Sequence, residues 1–470
     1  MTDERTLVNF GGNQRWRARC YRPRDEQEVL DILARHRSRR IRAIGSLHSW
    51  SGIAGAPDVV LDMSEFDKAE PRVADGVVRV GAGCGLQDLL DRLHAGTGQT
   101  LPALGVITKQ TIAGAISTAT HGSGRQTLSH FVTAVRLAAY DASGEPKIFE
   151  YRGGDELRAA RCGLGSLGVI LAVELRIVPK YCIRDTVRIF DRLDDALALF
   201  ERHPLSQFAL VPYSWKIIAW ERDALPAGGG GGLRARVFRV LNFAGVDVAC
   251  HLLVKASLAI GESAVRTLLK ILPGLLIANV PRIDDAEHVL TMRHDLFRHE
   301  EMEIFAPGAR VAEATEVLRG AIEIFAGGAG AMSADLEGRL RLGGLYDELV
   351  KARGTYLHHY PLFFRRVLPD DTLVSMTASS DEPWFSISLF TYHSPQNRGA
   401  YYALCSWCAR ALHALFGARL HWGKHYPLGA PEVARMYPHV AQFRALCRAN
   451  DPAGVFRNDF TDRVLQLRDR

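Results

Sequence analysis

Arg42-Ala-Ile-Gly-Ser-Leu-His-Ser-Trp-Ser-Gly52, with Asp58-Val-Val-Leu-Asp-Met63 shortly behind it, reads as a strand, a glycine turn, a histidine and a second strand. Ile41 and Ile44 belong to the first β-like run. Gly45 permits a positive φ there, and the polar residues after it can point backbone N–H groups into a concave turn able to hold an anion. Upstream, Asp25-Glu-Gln-Glu28 follows Pro23 and precedes Val29, Leu30 and Leu33 at helical spacing, so an acid-rich first turn opens a helix. Downstream, residues 77–80 are β-like and residues 86–94 are a short helix, which makes an alternating α/β start.

Two glycine runs imitate a dinucleotide fingerprint and fail as one. Gly81-Ala-Gly-Cys-Gly85 lacks its third glycine in register, because Leu86 stands there, and Gly163-Leu-Gly-Ser-Leu-Gly168 lies after a helix and before a strand, the reverse of the required order. The 470 residues, 47% hydrophobic and 23% charged, describe an ordinary globular chain of two or three domains. Eight scattered cysteines form no disulfide framework, and the first ten residues hold early acids and no apolar run of secretory length, so a cytoplasmic location is expected. The net charge of +6 is spread over pairs such as Arg39-Arg40 and Arg365-Arg366, without the clustered, aromatic-interleaved pattern of a nucleic-acid surface. An anionic cofactor accounts for it as well as nucleic acid does. Cys405-Ser-Trp-Cys408 has redox spacing but sits inside a late helical pattern, and a structural role is expected.

Residues 101–124 are rich in glycine and small hydroxyl side chains, which let backbone approach a large flat ligand and donate to it. Gln110-Thr-Ile-Ala-Gly114 and Thr120-His-Gly-Ser-Gly124 within it, the Gly45-Ser-Leu-His-Ser49 turn, and His421-Trp-Gly-Lys424 together resemble the FAD-linked aldonolactone and alditol oxidases. That resemblance runs over most of the chain. It implies an α+β fold of two domains: a discontinuous FAD-binding unit of residues 1–180, an inserted substrate cap of residues 181–420, and a C-terminal segment, 421–470, returning to the flavin unit. It also implies FAD bonded covalently to His48, with Gly45, Ser46, Leu47, Ser49, Gly105, Thr111, Gly114, Thr118, His121, Gly122, Ser123, Gly124 and Lys424 as the cofactor-binding set.

Flavin oxidation of an alcohol needs a hydride acceptor over the reacting carbon, a group to receive the hydroxyl proton, and donors for developing negative charge. By resemblance Lys424, Arg365 and Thr391 carry the catalytic roles. Two departures stand out. The family's Glu-x-Arg strand reads Phe363-Phe-Arg365 here, and its His-Phe-Thr-Trp strand reads Leu389-Phe-Thr391-Tyr392. Losing a carboxylate removes charge-assisted hydrogen bonds worth roughly 1.5–3 kcal/mol each, so an ordinary alditol is a poor expectation for the substrate. His421 and His425 are four apart without an evident acidic partner, and Glu300, Glu301 and Glu303 read as solvated charge, so no metal site is expected. His121 reads as a structural partner in the flavin loop and His393 as a surface histidine.

In the cap, residues 185–201 read as helix, 208–220 as strand, 228–232 as a glycine loop, 312–325 as helix, 355–366, 373–377 and 384–392 as strands, and 401–415 as helix. Residues 246–280 are apolar but interrupted by Lys255, Arg266, Lys270 and Pro273, and a buried cap helix is expected over a membrane contact, with peripheral attachment left open. The expected protein is an FAD-dependent oxidase of a sugar-derived hydroxyl compound, passing electrons to dioxygen and giving hydrogen peroxide. The alternatives are a dehydrogenase of the same fold with a quinone or cytochrome acceptor, and a flavin-binding protein without turnover.

Overall fold

The computed structural model describes residues 3–467 apart from 56, 57, 229, 295, 395 and 396. Its first sheet has four strands, in the order Asp3–Val8, Arg15–Tyr21, Val59–Asp62, Ile41–Ile44. Ile41–Ile44 runs parallel to Val59–Asp62, with Ile41 opposite Val59, so the intervening chain must cross over, and the His48 turn leaves from the C-terminal end of its strand. Helix Glu26–Arg35 begins where the Asp25 side chain accepts from Glu28 N at 2.8 Å, and it buries Val29, Ile32 and Leu33. A second, antiparallel sheet follows in the order Ala69–Arg72, Val77–Gly81, Val169–Arg176, Val132–Tyr140, Pro146–Tyr151.

The third sheet has eight antiparallel strands, in the order Arg282–Asp285, Tyr181–Phe190, Ile217–Pro226, Gln207–Leu210, Leu362–Val367, Trp384–Tyr392, His299–Pro307, Arg419–Leu420. One face is covered by helices Val311–Phe325 and Arg398–Phe416. After residue 420 the chain goes back to the first two sheets: helix Val440–Asn450 packs against Val132–Tyr140, and Ile41 N donates to Val455 O at 2.8 Å. The architecture is α+β, with mixed helices and sheets.

Several expectations for the cap give way to the structure. Residues 185–190 continue strand Tyr181–Phe190, and only Leu193–Arg202 is helical; the apolar spacing of the two elements runs together in sequence. Residues 208–220 are two strands, Gln207–Leu210 and Ile217–Pro226, joined by a turn in which Tyr213 and Trp215 take positive φ. Strand pairing in 355–366 starts only at Leu362. Residues 373–377 are not a strand but buried turns around Asp370, whose carboxylate accepts from the hydroxyls of Thr127, Thr372 and Ser375, each at 2.7 Å. Side-chain bonds of this kind compete with a sheet ladder. Cys405 and Cys408 are both fully buried in helix Arg398–Phe416, and burial pushes both thiols up, away from reactivity.

The expected buried helix of 246–280 is overturned most clearly. Helix Leu233–Ile260 is long and apolar enough to cross a membrane, yet only 11% of its most apolar stretch is buried.

Arg42 ties the distant parts of the flavin unit together. Its buried guanidinium donates to Gly165 O and Phe456 O at 2.8 Å, Ile53 O at 2.5 Å and Leu164 O at 2.8 Å. Burial lowers its pKa to about 10, which leaves it charged at neutral pH. Arg42→Met should therefore lower stability by about 3 kcal/mol or more, since carbonyls from three chain segments lose a charged donor. A fall in the urea midpoint, with Arg42→Lys intermediate, is the expected result; an unchanged midpoint for Arg42→Met would remove this tie from the account.

Candidate active site

Strand His299–Pro307 is the axis of the site because its side chains alternate between two environments. Glu300, Met302 and Ile304 face the helices, where Arg398 holds Glu300 at 2.7 Å. Glu301 and Glu303 face the flavin unit and are 4% and 2% exposed. The sequence reading of solvated charge at these positions is therefore corrected. Carboxylates this deep require paired cations or several donors, and both have them.

Glu303 Oε1 lies 3.2 Å from His121 Nε2, 3.6 Å from Arg365 Nη1 and 3.2 Å from Ser388 Oγ. Burial raises the Glu303 pKa, but His121 beside it and, further off, Lys424 outweigh it and hold the carboxyl well below the usual range. His121 has its other nitrogen, Nδ1, 3.0 Å from Gly122 O, so both ring N–H positions face oxygen acceptors. His121 thus does more than brace its own loop. His421 is brought to the same spot: His121, Glu303 and His421 place ligand-type atoms within 4.8 Å of one another. Burial lowers the His421 pKa to about 3, and its Nδ1 accepts from Gly423 N at 3.0 Å, leaving the neutral ring a donor at Nε2. The constellation has the residue types of a metal site, but Arg365 beside Glu303 supplies the positive charge a metal would bring.

The His421-to-Lys424 turn is locked to this strand through its backbone. His421 N donates to Glu303 O at 3.0 Å and His425 N to Glu301 O at 2.9 Å. That register delivers Lys424 Nζ to the Glu301 carboxylate as a direct ion pair, with the ammonium 4.3 Å from the Trp50 ring centre. Trp50 N donates to Gly423 O at 2.8 Å and Ser51 Oγ to Trp422 O at 2.6 Å, so the His48 turn docks on the Lys424 turn. Leu47 takes φ of 57°, a left-handed kink that presents His48, whose ring stacks on Phe10 at 4.7 Å.

The structure thus brings His48, His121, Arg365 and Lys424 to one place. It does not bring Thr391 there. Thr391 pairs in register with Glu300 and lies 3.4 Å from His359 Nε2 on the helix side of the sheet, and Leu389 is fully buried on that same side. The sequence reading took the wrong face of this strand: Ser386, Ser388 and Phe390 are the residues on the Arg365 face. His393 is not a free surface histidine, since it sits 3.4 Å from Glu300. Glu301, Glu303, His421 and Ser388 are the site residues that sequence reasoning missed. The period-two pattern His299, Glu301, Glu303, Phe305 was the available signal.

The loops fit a flavin dinucleotide by what they leave out. A Cβ on Gly45 would strike the Thr111 side chain, one on Gly105 would strike Thr120, and one on Gly122 would strike Leu104 O, so these loops are drawn as close as glycine allows. Gly45 and Ser46 stay exposed, and Ser49 and Leu47 half-buried, as a lining needs. Gly122, Ser123 and Leu104 face Arg365 and Gln207 across a cleft between the loops and the large sheet. Three members of the expected set serve the fold: Ser123 Oγ bonds Ser206 O, Gly124 N donates to Arg366 O at 2.6 Å, and Thr118 Oγ1 donates back to Gly114 O at 3.3 Å. Thr111 and Gly114 lie at the start and within the short helix Ile112–Ser117, beside Gly45.

A family profile described as an FAD binding domain matches residues 18–148, and the chain is an FAD-dependent oxidoreductase acting on CH–OH groups. A second profile, described as D-arabinono-1,4-lactone oxidase, matches residues 173–464, and the chain belongs to that family. It is 42% identical to a long-chain alcohol oxidase from an uncultured marine euryarchaeote over 97% of this chain and 96% of the relative. An L-gulono-1,4-lactone dehydrogenase of Mycobacterium tuberculosis is 26% identical over 94% and 95% of the two chains. In fold the chain resembles cholesterol oxidase from Brevibacterium sterolicum, with a TM-score of 0.71 at 13% identity, covering 99% of this chain and 97% of that one.

Glu303→Gln keeps the size of the side chain and removes its charge. It should retain FAD and lose about 10²-fold or more in kcat, the scale of a misplaced proton acceptor. The sign of the stability effect follows from the depressed folded pKa: the carboxylate contributes above its unfolded value of 4.5, and that contribution is lost as pH falls toward the folded value. The melting difference between wild type and variant should be steady above about pH 5 and narrow below it. A difference independent of pH would show that Glu303 is not held ionised.

Proposed function

We propose that this FAD-dependent oxidase takes a hydroxyl carried on an apolar chain, with FAD bonded to His48 and dioxygen as the final acceptor. The observation that carries the substrate class is Phe363, on the Arg365 face of the sheet, stacked with Trp220 at 6.1 Å and edge-on to Phe390 at 5.8 Å. From His48 a row of half-buried rings continues through Phe10, His299, Phe390 and Tyr360 to His251 and Phe297, at centre distances of 4.5–5.7 Å from Phe10 onward. Half-buried rings in series offer an alkyl chain a dry wall. The long-chain alcohol oxidase relative favours the same reading.

The overall reaction is R–CH2OH + O2 → R–CHO + H2O2. Bound FAD supplies the two-electron acceptor and its reoxidation by dioxygen. The protein's part is positioning: Arg365 donates to the substrate oxygen, Glu303 accepts its hydroxyl hydrogen bond and directs the proton away from the carbon, and Ser388 and Gln207 fix the polar end. Lys424, braced by Glu301 and Trp50, places positive charge beside the His48 turn. A second reading, a sugar-derived lactone or polyol, is favoured by the polar set Arg365, Gln207, Ser386 and Ser388 on this face. In either reading the hydroxyl reacts at the polar end and the rest of the substrate meets the rings. Free cysteines throughout the described chain suit a reducing cytoplasm.

Primary alcohols of increasing length should show kcat/KM rising by up to about fourfold per methylene while the chain lies along the rings. Phe363→Glu should flatten that series and improve open-chain polyols. A flat wild-type series, with xylitol or a lactone as the best substrate, would overturn the apolar reading.

Acid-precipitated wild type should remain yellow, and His48→Ala should release its flavin to the supernatant. Full release from wild type would end the covalent assignment.

A further inference from the structure

Helix Leu233–Ile260 carries its polar contacts on one side only. Arg239 reaches Asp284 at 2.8 Å, Asp247 reaches His294 at 3.1 Å, His251 bonds the Tyr392 and Tyr360 hydroxyls at 2.8 and 2.7 Å, and Val254 and Ser257 are buried. These positions recur every three to eight residues and pin that side to the protein body. The opposite side shows Leu233, Val237, Val240, Leu241, Phe243, Val246, Leu252, Leu253 and Ile260 to solvent, and the following segment adds Ile271, Leu275, Ile277 and Val280. With Ile283, fourteen of the nineteen exposed large apolar residues in the described chain fall between 233 and 283, so this is a segregated patch and not ordinary surface.

Its charge is equally one-sided. Residues 233–280 contain six Arg and Lys against two Asp and Glu, and one of the two acids, Asp247, faces His294. Arg234, Arg236 and Lys270 stand exposed, while Arg239, Lys255 and Arg266 turn to the protein body, toward Asp284, the Phe297 and Tyr392 rings, and Ala326 O. An apolar face rimmed with cations fits an anionic lipid surface, where side chains enter the acyl boundary and the cations meet phosphate headgroups. A second copy of this chain fits poorly, because a two-fold contact would set the same cations against each other. A bilayer span fits poorly too, since Asp247 and His251 are hydrogen-bonded to the rest of the protein and hold the helix down along its length.

We propose that the outer face of this helix and of residues 271–280 lies in the plane of an anionic membrane. His251 joins that helix to the ring row that ends at the active site, stacking on Phe297 at 4.5 Å and bonding Tyr360. A chain-bearing alcohol dissolved in the lipid then enters between helix and sheet without crossing water. This second step rests on the apolar-substrate reading; the lipid contact itself does not.

Flotation of the FAD-loaded protein with vesicles of phosphatidylcholine containing about one third phosphatidylglycerol tests the contact. Wild type should float with these vesicles and much less with pure phosphatidylcholine or in high salt. The triple variant Leu241→Glu, Leu252→Glu, Leu253→Glu should stay at the bottom, with at least tenfold less bound, while Leu342→Glu, a change at an exposed leucine elsewhere, should float as wild type does. Arg234→Ser, Arg236→Ser, Lys270→Ser should lose the phosphatidylglycerol dependence. Wild type left at the bottom, the triple leucine variant floating undiminished, or a wild-type dimer that the triple variant dissociates would each overturn the proposal. Turnover of a soluble short alcohol should be unaltered in the triple variant, while turnover of a vesicle-borne long alcohol falls. If flotation behaves as expected but wild type oxidises no long alcohol, the substrate reading fails and the lipid contact stands.

Discussion

The alternation of one strand, His299–Pro307, governs the site. Two carboxylates on its flavin-side face are buried, and burying a carboxylate without compensation would push its proton affinity up and destabilise the fold. The rest of the molecule is arranged to prevent this. Lys424 arrives on a turn whose backbone is hydrogen-bonded to the strand at Glu301 and Glu303, His121 arrives on the glycine loop, and Arg365 arrives two strands away. Each comes from a different part of the sequence, which gives a physical reason for a chain that leaves the flavin unit, builds an eight-stranded sheet, and then returns.

The features legible in the sequence were those whose meaning is local. Glycines at 45, 105 and 122 announce close approach whatever surrounds them, although the positive φ expected at Gly45 falls instead on Leu47. Asp25 caps its helix within four residues. The Lys424 turn could be recognised because its motif is contiguous. What stayed hidden depends on partners far away. Glu303 looks like any surface glutamate until His121 and Arg365 are known to face it; the period-two run around it marks a shared face but not the partners on it. Thr391 was misassigned by a register of one, the error that a period-two element makes most costly, since it moves every side chain to the other face.

The helix of residues 233–260 failed for a different reason. Apolar content predicts burial only if another element is available to cover it, and here the neighbouring elements take up one side of the helix alone. The sequence contains the apolar residues and the cations between them, but composition does not say whether protein or lipid lies opposite.

These two regions give one sheet face a polar end and an apolar end, and magnitudes decide which of them selects the substrate. Charged hydrogen bonds at Arg365 and Glu303 contribute roughly 1.5–3 kcal/mol each, and they are available to any hydroxyl compound that reaches them. Apolar burial contributes about 0.8 kcal/mol per methylene, so a chain of eight carbons lying along the rings gains as much as roughly two to four such bonds. Under the proposed apolar-chain substrate, the polar end, common to every hydroxyl compound, sets where oxidation occurs, and the rings set what is oxidised. Phe363 sits at the junction. Its phenyl ring, packed against Trp220 and Phe390 two residues from Arg365 on the same face, brings apolar surface directly up to the polar end.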